Sequence, residues 1–247
     1  MPEKTKAIFN WSSGKDSAMA LYKVLQQNEH EVSCLLTSIN SAFNRVSMHG
    51  VHQDLVELQA KSIGIPLKKI LLPEMPSMSV YEKIMTETMT ELKEEGNETS
   101  IFGDIFLEDL RAYREEKLES NGFNAIFPLW NVPTKTLIQD FLTMGFKAIV
   151  VCVNEKYLDK SFAGRIIDES FIADLPDNVD PCGENGEFHT FVFDGPIFKT
   201  PIPFKKGEVV YKKYEPAKDK NDNCYQEAQD TKPFQYGFWF CDLLLNE

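Results

Sequence analysis

Six consecutive residues, Ser12-Ser13-Gly14-Lys15-Asp16-Ser17, place three hydroxyls, a glycine, an ammonium and a carboxylate directly after an apolar run. Where a strand turns into a helix, the first helical N–H groups lack partners and carry a partial positive charge, so the bend attracts anions. Gly14 lets the backbone approach a ligand closely. Ser12, Ser13 and Ser17 offer hydroxyl donors, and Lys15 adds a point charge. Asp16 does not suit an anion by itself. It reads as a helix cap or as a contact to Mg²⁺ carried by phosphates. The chemistry implied is polyphosphate binding. The segment is not the longer G-x-x-x-x-G-K-[ST] loop that wraps a β-phosphate. A serine-rich cap with a solvated Lys-Asp pair would explain Ser12 and Ser17, but not Gly14 and Lys15 between them.

The elements that must position this bend follow from the hydrophobic pattern. Residues 7–11 read as a buried strand and 18–27 as a helix. Residues 32–39 form a second strand, and 51–63 have apolar positions at nearly helical spacing. Gly64-Ile65-Pro66 closes that helix, because glycine suits a C-terminal cap and proline cannot continue it. Strands are expected at 67–72, 100–103 and 125–129, with helices at 79–95 and 107–121. This β-α alternation predicts a doubly wound parallel sheet with helices on both faces. Such a sheet binds ligands outside the carboxyl ends of its strands, near the point where strand order reverses. Beyond Trp130 the pattern changes. A helix at 135–144 and a strand at 148–153 precede a mixed region, a polar loop at 216–233 and an apolar terminal strand at 237–245. The expected division is a nucleotide domain at 1–131 and a smaller α+β domain at 132–247.

Composition narrows the classes further. A chain of 247 residues with 43% hydrophobic residues can bury a substantial core. Its 38 acidic against 26 basic residues give a net charge of −12, which disfavours a broad nucleic-acid surface. No stretch approaches the ~20 apolar residues of a membrane span. The N-terminus lacks a signal-peptide core. Five scattered cysteines without C-x-x-C read as reduced thiols in a cytoplasmic protein. A homodimer is left open.

The bend resembles the S-G-G-K-D-S loop of PP-loop (N-type) ATP pyrophosphatases, which hold the pyrophosphate expelled while a substrate takes AMP. Ser13 stands where that family usually has glycine. Later segments are similar to the diphthine–ammonia ligase branch. They comprise Met48-His49 followed by Glu57-Leu58-Gln59-Ala60-Lys61 and Gly64-Ile65-Pro66-Leu67, then Gly103-Asp104-Ile105 and Pro128-Leu129-Trp130. Cys182-Gly183-Glu184-Asn185-Gly186-Glu187-Phe188-His189-Thr190 resembles C-G-E-G-G-E-[FY]-x-T, with Asn185 replacing a glycine, and Asp194-Gly195-Pro196-Ile197-Phe198 extends the match. The resemblance implies a Rossmann-like, adenine-nucleotide-hydrolase-type fold, ATP and Mg²⁺ as cofactors, and a carboxylate or amide substrate. It further implies ammonia or another amine as donor and, in its fullest form, amidation of diphthine, the modified histidine of elongation factor 2.

The remaining candidates take roles within that frame. Asn10, Thr37, Ser38 and Phe9 lie where strands one and two would meet adenine, and His49 follows strand two. Asp104, after Gly103 at a central strand end, is placed to reach substrate or Mg²⁺, or simply to cap a turn. Glu184 and Glu187, three apart in a Gly-rich turn, can be brought to one side to hold an amine, accept its proton or bind metal. The expected catalytic set is Lys15, Asp16, Asp104, Glu184 and Glu187. His49 and His52 have H-x-x-H spacing without a partnering ligand, which argues against zinc; His189 reads equally as core or site. A tRNA-modifying adenylating enzyme would favour a basic face and, in thiolating members, paired cysteines. A nucleotide sensor would need no second-domain carboxylates.

Overall fold

The computed structural model describes residues 4–47, 49–213 and 237–246. Met48, Cys224 and the polar stretch 216–233 lie outside these residues. Strand β1 (Thr5–Asn10) is buried on both sides: Ala7 and Phe9 enter one core layer and Ile8 the other. Helix α1 (Lys15–Gln27) ends at Asn28, whose left-handed φ of 57° closes it. Then come β2 (His30–Asn40), the two-residue β3 (Arg45–Val46), α2 (Gln53–Ile63), β4 (Leu67–Leu72), α3 (Met78–Glu94), β5 (Thr99–Ile101), α4 (Glu108–Glu119) and β6 (Asn124–Ile126). Gly64, at φ 87°, ends α2 as the Gly-Ile-Pro signal predicts.

The five longer strands are parallel in the order β4-β2-β1-β5-β6, and β3 runs antiparallel to the end of β2. The chain builds outward from β1 to β2 and β4, then returns to lay β5 on the other side of β1. The order therefore reverses between β1 and β5, so the loops after these two strands share the crevice where such sheets take ligands. Helices cover both faces. Leu92 and Met89 of α3 and Leu118 of α4 pack on Ile8, Leu36 and Ile70; α1 and α2 cover the other side.

The second part comprises α5 (Thr134–Thr143), β7 (Lys147–Asn154), a single 3₁₀ turn at Lys160–Phe162, α6 (Glu169–Ala173), β8 (Phe188–Asp194), β9 (Phe204–Lys213) and β10 (Gly237–Leu245). Its four strands form an antiparallel sheet in the order β8-β7-β10-β9. Two of these strands, β8 and β9, fall in the region whose sequence reads as mixed, with no strand assigned. The apolar layer of α1 and α2 continues without a break into Phe146, Val150, Phe191 and Val192, so both sheets share one core. Strand β8 lies directly against the first domain: Val192 N–H donates to the Ser13 carbonyl at 2.9 Å. Cys34, Cys152, Cys182 and Cys241 are all free thiols. Among the described residues, no helix is long and apolar enough to cross a membrane.

Candidate functional site

The bend from Ser12 to Ser17 sits at the carboxyl end of β1. Ser13 adopts a left-handed conformation, φ 71°, and is fully buried. A residue with a Cβ pays steric energy there, which is why the resembling loops carry glycine at this position. Here the bend keeps the turn and bears that cost. Gly14 is the N-cap of α1 and supplies no side chain to the helix start. A Cβ on Gly14 would lie 3.1 Å from His49 Cε1 and 3.2 Å from the Thr190 carbonyl, so the second domain closes over the glycine. Asp16 is therefore not the cap; it occupies the first turn. The hydroxyls form a small network. Ser12 Oγ accepts from Gly14 N–H at 3.3 Å and donates to Ser17 Oγ at 3.1 Å, and Ser17 Oγ donates to the Gly14 carbonyl at 3.0 Å. Lys15 N–H donates to Thr190 Oγ1 at 3.0 Å.

One buried side chain holds the bend in place. Gln59 of α2 accepts from Trp11 Nε1 at 2.9 Å through Oε1, while its Nε2 donates to the carbonyls of Ser13 at 3.2 Å and Val192 at 2.6 Å. Gln59 and Thr190 stand in the sequence only within longer motifs, which assign neither a role. Their partners lie far away in the chain, and no local pattern reveals them.

Charge converges on the bend. Lys15 is 2% exposed, and its Nζ contacts both Asp16 oxygens at 2.7 Å. Burial alone would depress the ammonium pKa. The Asp16 carboxylate paired with Nζ outweighs it, with Cys182 and Glu184 acting in the same direction, so the pKa is raised and Lys15 stays charged. Glu184, in the turn before β8, is pushed up to about 8 by burial and by the nearby Asp16, against the pull of Lys15. Asp104 follows Gly103 at the end of β5, where a Cβ on Gly103 would lie 3.1 Å from Ser17 N. Burial raises the Asp104 carboxyl, the Arg114 guanidinium 2.8 Å away lowers it, and Asp16 raises it again. Lys15, Asp16, Asp104 and Glu184 are thus brought together from two loops of the first domain and one turn of the second.

Glu187 has different surroundings. Its carboxylate is fully buried and accepts from the N–H groups of Asp180 at 2.9 Å and Asn185 at 2.8 Å, and from Asn185 Nδ2 at 3.0 Å. Its bonds are spent on the turn itself. The expectation that both glutamates share one reactive side is corrected: Gly183 (φ 74°) and Gly186 (φ 78°) shape a turn that turns Glu187 inward, whereas Glu184 stays half-buried within electrostatic range of Asp16 and Lys15.

The adenine-side candidates are partly engaged. Asn10 Nδ2 donates to Ser100 Oγ at 2.8 Å and the Ile101 carbonyl at 3.0 Å, bridging β1 to β5. Thr37 Oγ1 is buried and donates to the Trp11 carbonyl at 2.7 Å. The Ser38 carbonyl accepts from Ser47 N–H at 3.2 Å. The His49 ring lies 4.7 Å from that of His189, and His49 Nδ1 is 3.3 Å from the Thr190 carbonyl. Burial, reinforced by Lys15, lowers His49 to about 4; burial, His49 and Lys15 lower His189 to about 3. Both rings are neutral at pH 7. His52 instead caps α2 through Asp54 N–H, so it shares no ligand with His49. Among the described residues, no group of three or more His, Cys, Asp or Glu is arranged to hold a metal ion. A Mg²⁺ that arrives with phosphates needs only one or two carboxylates beside waters, and Asp16, 27% exposed at the bend, fits that requirement.

A glycine-lysine bend between β1 and α1, at the switch point of the parallel β4-β2-β1-β5-β6 sheet, defines an α/β protein of PP-loop type. The diphthamide synthase N-terminal domain pattern matches residues 5–124 and its C-terminal counterpart residues 133–219. The diphthine–ammonia ligase of Bos taurus is 25% identical over 222 residues, spanning 81% of this chain and 82% of that protein. The Homo sapiens enzyme is 24% identical over 222 residues with the same coverage. The Schizosaccharomyces pombe protein is 31% identical over 110 residues, or 41% of this chain and 18% of that one. Among solved structures, a U34-tRNA thiolase from Methanococcus maripaludis with its 4Fe–4S cluster aligns at a TM-score of 0.35 and 17% identity over 57% of each chain. The chain belongs to the diphthine–ammonia ligase-like family of PP-loop proteins.

Proposed function

We propose that this protein is an ATP-dependent ligase that splits ATP into AMP and pyrophosphate to convert a carboxylate into an amide. The observation that carries the reading is the buried Lys15–Asp16 pair in the bend from Ser12 to Ser17, with the Glu184 carboxyl of the second domain within its electrostatic reach. In the proposed reaction the bend from Ser12 to Ser17 binds the β- and γ-phosphates. An oxygen of the substrate carboxylate attacks the α-phosphorus, the bond to the bridging α-β oxygen breaks, and pyrophosphate departs. The loop N–H groups and Lys15 stabilise the charge that builds on the leaving group, a preorganised electrostatic contribution of the kind that dominates phosphoryl chemistry. Asp16 would hold Mg²⁺, which supplies charge neutralisation at the phosphates. Ammonia then attacks the acyl carbon, AMP leaves, and Glu184 accepts the proton lost by the nitrogen.

The relatives' name supports a diphthine-type carboxylate and ammonia as the other two substrates. The free thiols support a cytoplasmic setting. The test is product analysis: wild-type protein with Mg²⁺-ATP, ammonium and a diphthine-bearing elongation factor 2 should release pyrophosphate, not orthophosphate. Lys15→Ala should abolish that release while the fold persists. Orthophosphate as the sole product, or undiminished turnover by the variant, refutes the reading.

A further inference from the structure

Helix α4 buries a single apolar side chain, Leu118. Its attachment to the sheet relies instead on two arginines lying over aromatic rings. The Arg111 guanidinium is 4.6 Å from the Trp130 ring centre and 5.1 Å from that of Phe127, and Arg114 is 4.3 Å from that of Phe102. Phe102 and Phe127 stack on one another at 5.4 Å. Arg111 is otherwise occupied, donating from Nε to Glu115 Oε1 at 2.7 Å. Arg114 is directed elsewhere: its Nη1 lies 2.8 Å from Asp104 Oδ2. That oxygen is buried and makes no other hydrogen bond, so the Arg114 ion pair is its main compensation. A planar guanidinium fixed on a ring loses little freedom when it pairs, which makes it a better anchor than a solvated cation.

The Asp104 carboxylate needs such an anchor. It sits one residue beyond Gly103, against the start of α1, with the like charge of Asp16 as a neighbour. Left unpaired, a buried anion at this spot would repel an incoming polyphosphate and drift from its place.

We propose that Arg114 is a positioning residue for the nucleotide site: clamped on Phe102, it pairs with Asp104, offsets its charge and fixes its carboxylate beside the phosphate bend. The inference rests on the ATP reading above. Arg114 itself does not touch the nucleotide; it acts through Asp104.

A double-mutant cycle on the full-length protein tests this, using isothermal titration calorimetry with Mg²⁺ and α,β-methylene-ATP, which the enzyme cannot cleave. Arg114→Gln should weaken binding on the order of tenfold, mid-range for residues in direct contact. Arg114→Lys, which retains the charge but loses the planar clamp on Phe102, should recover only part of that loss. In an Asp104→Asn background, Arg114→Gln should change affinity by less than about twofold, because the anion it compensates is gone. Arg114 lies on the partly exposed face of α4, and a thermal melt of each variant confirms folding. An undiminished tenfold loss in the Asp104→Asn background would mean that Arg114 meets the nucleotide directly, and would overturn this inference alone. Absence of any binding by the unsubstituted protein would overturn the ATP reading, and this inference with it.

Discussion

Ser13→Gly should make the ligand-free protein more stable, although it deletes a side chain. An L-residue in the left-handed region costs about 1–2 kcal/mol, and Ser13 sits there at φ 71°. Its Oγ is buried with no partner, a desolvation cost of about 1–3 kcal/mol. Glycine removes both penalties but adds about 0.4–1 kcal/mol of unfolded-state entropy. The balance is a gain of about 2 kcal/mol, and a chain of this length moves about 2–4 °C in Tm per kcal/mol. The expected rise is therefore roughly 4–8 °C. Ser13→Ala separates the contributions, since it removes the hydroxyl and keeps the strained backbone. The order should be Gly above Ala above Ser in thermal melts and in urea midpoints. If the glycine variant is no more stable than the alanine variant, the strain argument fails. If both fall below the parent, the hydroxyl is satisfied and the bend differs from this description.

Two further perturbations follow from the same site. Gln59→Leu leaves Trp11 Nε1 and the carbonyls of Ser13 and Val192 without this partner; the expected loss is about 2–4 kcal/mol, seen as a lower urea midpoint at an unchanged m-value. Glu184 in the folded protein keeps its proton up to about 8 rather than the ordinary 4.5. The folded state therefore binds more protons than the unfolded state between these values, and stability falls as pH rises through that window. Glu184→Gln should flatten the decline in urea midpoints measured from pH 5 to 9, and should remove the rise in turnover near pH 8 that a proton acceptor produces. A pH dependence parallel to that of the parent would dismiss both expectations.

Much of the first domain could be read from local pattern because its strands are buried and its helices carry clean stop signals. Residues 67–72 and the terminal strand 237–245 coincide with β4 and β10, and Gly64 ends α2 where the sequence indicates. The bend was legible because Gly14 and Lys15 have no purpose in an ordinary cap. Strand β9 was not, since Phe204–Lys213 carries four lysines and a glycine and most of its residues are exposed; only pairing with β10 makes it a strand. Strand β8 hides behind the Gly-rich turn that precedes it. The glutamates show a second limit. Spacing puts Glu184 and Glu187 three apart, but the two positive-φ glycines decide which one turns inward. Gln59, Arg114 and Thr190 escaped functional notice because each matters through a contact distant in sequence.

Those distant contacts give the second domain its part in the chemistry. Thr190 of β8 occupies the N–H of Lys15, and the Val192 N–H and the Gln59 amide both hold the carbonyl of Ser13. The bend is thus shaped from outside its own domain, and Glu184 reaches Lys15 from the turn that leads into the same strand. A phosphate that takes the Lys15 N–H must compete with the Thr190 hydroxyl, so nucleotide binding is felt directly by β8 and by the turn carrying Glu184. In the proposed reaction this is useful. The group that accepts the amine proton is tied to the strand that senses the phosphates, which gives the nitrogen step a physical route by which to depend on an occupied nucleotide site.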